Sequence, residues 1–145
     1  MDGSVIEQES TLTVVNAPAE FERAAIWLHD FIAGVGLPDD VNARLLVVLD
    51  EVLSNVVNHA LAGAAEGNRE IRLCIRLRPE TVELEVVDDG PVFDPTAFAP
   101  RTMAVDRRTG GAGLLFVRAL MDEVQFIRQG DLNCLTLRKR LATTR

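Results

Sequence analysis

No apolar run in this chain is long enough to cross a bilayer, and its acidic start, Met1-Asp2-Gly3, is no secretory signal. The expected location is therefore cytoplasmic, without a membrane partner. Cysteine is scarce. Cys74 and Cys134 are the two present, in strand-like segments without metal-ligand spacing, and read as reduced, buried thiols. Positive charge is also short: the formal net charge of −7 argues against nucleic acid as a partner. It does not argue against a nucleotide, because backbone N–H groups can hold phosphates without lysines. No glycine cluster runs on into Gly-Lys-Ser/Thr, which excludes a P-loop. Internal repeats and linkers are absent, so a second domain is not expected.

What is present suits one domain. The chain has 145 residues, 48% of them hydrophobic, enough to bury a single core and too many for a disordered chain. Residues 1–9 are polar and expected to be disordered, leaving residues 10–145 as the folded unit. Thr11 to Val15 alternates and is β-branched, an edge strand. Asn16 or Ala17 is placed to cap a helix with Pro18 in its first turn; Gly34-Val35-Gly36 ends it. Phe21, Ala24, Leu28 and Ile32 face inward, and Trp27 is assigned to the core. Leu37-Pro38-Asp39-Asp40 starts a second helix, its acidic residues suited to the positive helix end.

That second helix carries a wide apolar face: Val41, Leu45, Val48, Leu49, Val52, Leu53, Val56 and Ala60. Its other side holds Glu51, Asn55, Asn58 and His59. Glu51 and Asn55 are four apart, so their side chains emerge one above the other. Ile71, Leu73, Ile75 and Leu77 alternate with polar residues, and Val82, Leu84 and Val86 do so on a returning strand. A two-residue turn at Pro79-Glu80 pairs Arg76 with Glu83. Residues 95–109 show neither period, which in a compact domain marks a functional or disordered loop. A helix over residues 113–121 and two strands complete the order β-α-α-β-β-α-β-β. The fold class is α+β, a two-layer sandwich with helices on one face of a mixed, mostly antiparallel sheet.

Three stretches carry the chemistry. The second helix presents Glu51 and Asn55. Val86-Val87-Asp88-Asp89-Gly90 puts an acidic pair and a turn after a strand. Gly110-Gly111-Ala112-Gly113-Leu114 puts a glycine cluster before a helix, where unpaired N–H groups can meet an anion. In order and spacing they resemble the N, G1 and G2 boxes of the ATP-binding fold shared by gyrase, Hsp90, histidine kinases and MutL. The phrase Asp-Glu-Val-Leu-Ser-Asn, the short length and Met121-Asp122-Glu123-Val124 resemble one branch, the anti-sigma factor serine/threonine kinases.

The resemblance implies ATP and Mg²⁺ as cofactors. It assigns Asp88 to the adenine amine, with Gly90 allowing close approach of the base. It assigns Gly110, Gly111 and Gly113, with Leu114 behind them, to the triphosphate. Asn55 becomes the magnesium ligand and Glu51 the general base for a serine hydroxyl. Asn58 and His59 are candidates for the phosphate end, a structural role being the alternative for His59. Arg101, Arg107 and Arg108 are candidates for a lid contact with the γ-phosphate, and Arg101 is assigned to nucleotide binding. Thr136 matches a position near the adenine. Where the family has a second glycine in the G1 box this chain has Val92, a departure that can narrow the base pocket.

Three functions follow. One is a kinase in a partner-switching system, phosphorylating an anti-anti-sigma (STAS) protein and binding a sigma factor. Another is a switch that sequesters a partner in an ATP-dependent way without phosphoryl transfer. The third, phosphorylation of histidine on a separate partner, is disfavoured, since no helix pair with a phosphoacceptor is present. The edge strand also offers a place for a homodimer to pair.

Overall fold

Period-two patterning builds five strands: β1 (Gln8–Val15), β2 (Glu70–Leu77), β3 (Thr81–Asp88), β4 (Glu123–Gln129) and β5 (Leu132–Arg140). In the computed structural model, which describes residues 4–97 and 117–142, they form one sheet in the order β1-β2-β3-β5-β4. Every pairing among the described residues is antiparallel. The predicted tight turn is present. Arg78 N–H bonds Thr81 O at 2.8 Å, and Arg76 lies opposite Glu83.

Helices α1 (Ala19–Val35) and α2 (Asp39–Asn55) supply the second layer. Helix α1 stops where Gly36 turns left-handed at φ 73°, its N–H returning to Ile32 O at 3.0 Å. Helix α2 does not stop at Asn55. It runs on into a π-helical turn, Val56–Ala60, which Leu61 N–H closes on Val56 O at 2.8 Å. Leu28 and Ile32 of α1, and Leu45, Leu49 and Leu53 of α2, are buried in one cluster with Ile71, Leu73, Ile75, Leu84 and Leu137 of the sheet. Trp27 joins the edge of that core and donates from Nε1 to Ser10 Oγ at 2.9 Å.

Strand parity gives the opposite face to charge. Glu9, Arg76, Glu83, Arg138 and Glu123 stand directly opposite one another across all five strands. They form a ladder of alternating sign. Arg76 Nε lies 2.7 Å from Glu9 Oε2, Arg76 Nη1 3.0 Å from Glu83 Oε1, and Arg138 Nε 2.5 Å from Glu83 Oε2; Arg138 also pairs with Glu123. Glu83 at the centre is only 3% exposed.

Three expectations change. Gln8 and Glu9, assigned to a disordered start, belong to β1, because Glu9 gains both a strand partner and an ion pair in Arg76. Asn16 caps no helix; the residue before α1 is Pro18, without a side-chain cap. Asn16 instead ties the loop after α2, donating to Ala65 O at 3.1 Å and accepting from Arg69 N–H at 2.9 Å. The stretch 95–109, without either period in sequence, opens on a 3₁₀ turn at Pro95–Ala97, where Asp94 Oδ1 accepts from Thr96 N–H at 2.8 Å. The rest of that stretch lies outside the described residues.

The ladder's energetics differ along its length. Glu83→Ala removes the buried carboxylate shared by Arg76 and Arg138, leaving each with only its more exposed partners, and is expected to lower the unfolding free energy by about 3 kcal/mol. Glu123→Ala removes a carboxylate whose side chain is 55% exposed and is expected to cost less than about 1 kcal/mol. Urea unfolding of both variants checks this; equal losses would show that burial does not govern the ladder.

Candidate nucleotide site

A small cavity of about 20 Å³ opens between the end of α2 and the sheet. Val52 and Val56 line it from the helix, Val86 and Leu135 from the strands, and Phe93, Pro95 and Phe126 around its sides. Three polar residues reach it: Asn55, Asp88 and Asn133. An apolar slot with a few converging polar groups is the usual form of a small-molecule site.

Asp88 ends β3 on the core face, in phase with Val82, Leu84 and Val86, and is 4% exposed. Its Oδ1 accepts from Gly90 N–H at 2.9 Å and from Asn133 Nδ2 at 2.9 Å. Its Oδ2 makes no hydrogen bond among the described residues. Burial pushes the carboxyl up from its ordinary range, while the Asn133 and Gly90 donors pull the other way.

Gly90 is a steric requirement. A Cβ there would stand 2.5 Å from Ala60 O and 2.8 Å from Leu61 Cδ2, at the end of the π-helical turn. The turn after β3 is thus pressed against the end of α2. This brings Asp88 and Asn55, 33 residues apart in sequence, to one cavity. Asn55 is 8% exposed, and its carboxamide makes no hydrogen bond among the described residues.

The other predicted residues are distributed around this pair. Glu51 is half-buried one helical turn before Asn55 and does not line the cavity. Asn58 is exposed on the π-helical turn. His59 stacks on Phe93, ring centroids 5.1 Å apart and planes 10° apart, so it buttresses the cavity wall. Thr136 is a correction: it pairs with Glu85 on the face away from the helices, because its parity on β5 is opposite to that of Leu135 and Leu137. Val92 is another: its side chain is 64% exposed and does not line the cavity, so it does not narrow a base pocket. Arg101, Arg107, Arg108, Gly110, Gly111, Gly113 and Leu114 lie outside the described residues.

Sequence reasoning missed Asn133, which faces Asp88 across β3 and β5. The signal was there: Asn133 is in phase with Leu135 and Leu137, a polar residue at a core-facing position. Also missed was Arg128, whose Nη1 donates to Gly90 O at 2.8 Å and to Asn133 Oδ1 at 3.0 Å.

The histidine kinase-like ATPase domain family matches residues 14–139. The chain belongs to that family. It is 32% identical over 121 residues to the serine/threonine-protein kinase BtrW of Bordetella bronchiseptica, covering 79% of this chain and 81% of the relative. It is 25% identical over 129 residues to the serine-protein kinase RsbW of Listeria innocua, covering 84% and 81%. Two solved structures share the fold. The RsbU and RsbW domains of Rv1364c from Mycobacterium tuberculosis align with a TM-score of 0.65 at 17% identity, over 94% of this chain and 33% of that longer one. The SiaB-SiaC complex from Pseudomonas aeruginosa aligns with a TM-score of 0.57 at 15% identity, over 90% and 89%. Such an ATPase domain implies ATP binding, and the cavity brings apolar walls together with two uncommitted polar groups, Asp88 Oδ2 and the Asn55 carboxamide. Among the described residues no helix is long and apolar enough to cross a membrane, and no cluster of three acidic, histidine or cysteine side chains is placed to hold a metal.

Asp88→Asn separates fold from binding. The carbonyl of the substituted side chain can keep both hydrogen bonds that Oδ1 accepts, while its amide turns a donor toward the base amine. Because the folded carboxyl is raised, Asp88 contributes stability in acid that is lost as pH rises through its folded value, so ionisation opposes folding at neutral pH. The variant is expected to melt no lower than wild type at pH 7 and to bind ADP about 10- to 100-fold more weakly. Calorimetry and melting check both; unchanged ADP affinity would remove Asp88 from the site.

Proposed function

We propose that this protein is an ATP-dependent serine/threonine kinase that phosphorylates a small anti-anti-sigma (STAS) protein and also binds a sigma factor. The observation that carries the reading is the uncommitted Asp88 Oδ2 in an apolar cavity shared with Asn55. Family membership and two relatives named serine kinases supply the direction.

In this reading Asp88 Oδ2 accepts from the adenine amine, and Val86, Leu135 and Phe126 cover the ring. The Asn55 oxygen, with no partner among the described residues, is the group that would hold Mg²⁺, which would neutralise phosphate charge and keep most of its waters. Glu51, a turn earlier and open to a docked protein, takes the proton from the acceptor serine hydroxyl. The serine oxygen then forms a bond to the γ-phosphorus and the β–γ bridge breaks, releasing ADP. The alternative, an ATP-dependent binding switch without transfer, is favoured by one observation: Glu51 stands outside the cavity lining. Val92, being exposed, does not argue for it.

Two variants test the reading. Glu51→Ala is expected to leave ATP affinity within a few-fold and to cut transfer to the partner by about a hundredfold or more, the size of a lost general base. Radiolabelled phosphate transfer to candidate STAS proteins, beside calorimetry, measures both. A wild type that binds such a partner only with ATP yet transfers nothing would establish the switch instead. Asn55→Ala is expected to abolish the enhancement of ATP binding by Mg²⁺; titrations with and without the metal read this, and an unchanged enhancement would place the metal elsewhere.

A further inference from the structure

The Asn133 carboxamide is fully committed. Its oxygen accepts from Arg128 Nη1 at 3.0 Å and from Phe93 N–H at 3.3 Å. Its nitrogen donates to Asp88 Oδ1 at 2.9 Å, Pro91 O at 3.0 Å and Gly90 O at 3.4 Å. Reversing the amide would set its NH₂ against a guanidinium and a backbone N–H, and its oxygen against a carboxylate and two carbonyls. Each contact would become donor on donor or acceptor on acceptor, so the orientation is set by its neighbours.

Arg128 is the strongest of those neighbours. It lies on β4, the edge strand, directly opposite Asn133. Its Nη1 bridges Asn133 Oδ1 and Gly90 O, and its Nε donates to Gly130 O at 3.1 Å in the β4–β5 turn. One guanidinium thus joins the turn after β3, the last strand and the hairpin that leads into it. Charge-assisted bonds of this kind are about twice as strong as neutral ones.

We propose that Arg128 is the positioning residue for base selection: by fixing the Asn133 amide it holds Asp88 Oδ1 as an acceptor of protein donors and leaves only Oδ2 for the ligand. The site therefore presents a lone acceptor and no donor at that point. A 6-amino purine satisfies it, and a 6-oxo purine meets it oxygen to oxygen. Without Arg128, Asn133 can turn over or swing away, a donor can enter the cavity, and the 6-oxo base gains a partner. Arg128 itself reaches the surface and does not line the cavity, so it acts through Asn133 and not by touching the base.

The inference rests on the nucleotide reading above and is tested by the ratio of ATP to ITP affinity, two nucleotides whose bases differ in the 6-substituent, amino or oxo, and in the hydrogen that N1 of the 6-oxo base carries. Calorimetry on the full chain is run for wild type, Arg128→Met and Arg128→Lys. Arg128→Met is expected to weaken ATP about tenfold and ITP less than about twofold, narrowing the ratio. Arg128→Lys keeps one charged donor within reach of Asn133 Oδ1 and is expected to recover about half of the lost selectivity on a logarithmic scale. A general structural role would weaken both nucleotides alike. If Arg128→Met does not fold, Arg128→Lys alone decides, since a wild-type ratio in a variant with one donor left at most would deny the guanidinium its role. A wild-type ratio in folded Arg128→Met overturns the inference and leaves the nucleotide site standing. Failure of wild type to bind either nucleotide overturns both.

Discussion

The site depends on one close contact, the turn after β3 pressed against the last carbonyl of the helical layer. Gly90 makes it, with no room for a Cβ beside Ala60 O. From that contact the rest is determined. The Ala60 carbonyl is the last of the π-helical turn that extends α2. Asp88 closes a short hydrogen-bonded loop onto Gly90 N–H, and Asn55 is carried to the same cavity by the helix that ends there. A buried carboxylate is costly to hold, and two donors on one oxygen offset part of that cost while leaving the other oxygen unsatisfied. In the proposed reading that second oxygen would favour a ligand with an N–H at its edge.

The two faces of the sheet separate stability from recognition. The inner face is aliphatic and packs against α1 and α2, with its polar exceptions, Asp88 and Asn133, gathered at one end. The outer face carries the ion-pair ladder from Glu9 to Glu123. Its alternating sign gives the three inner members, Arg76, Glu83 and Arg138, an opposite charge on each side, and of the five only Glu83 at its centre is deeply buried.

Much of this was legible in the sequence, for physical reasons that differ from residue to residue. Period-two alternation and a two-residue turn specified the β2–β3 hairpin, including Arg76 opposite Glu83. The wide apolar stripe announced α2, and the Asp-Gly turn after a strand announced Asp88 and Gly90. What failed was reading partners across strands distant in sequence. Thr136 and Asn133 are three residues apart on one strand and so face opposite ways; the apolar phase of Leu135 and Leu137 marked the inward side, but only the β3–β5 register sets Asn133 opposite Asp88. Arg128 looked like any charged residue on an edge strand until the turn it holds was in place. The extension of β1 to Gln8 was hidden because its stabilising partner, Arg76, lies 67 residues away from Glu9.

Asp88 and Asn133 are also 45 residues apart, and their strands are neighbours although β4 intervenes in the chain. Pairing them requires closure of a long loop, a slow event relative to zipping either hairpin. During synthesis, β1, α1, α2, β2 and β3 emerge first and can already bury part of the core. The acceptor geometry at Asp88 cannot exist until β5 has left the ribosome and docked. A chain truncated before residue 133 would carry Asp88 without the neighbour that orients it, so in the proposed reading nucleotide retention reads out completed chain topology.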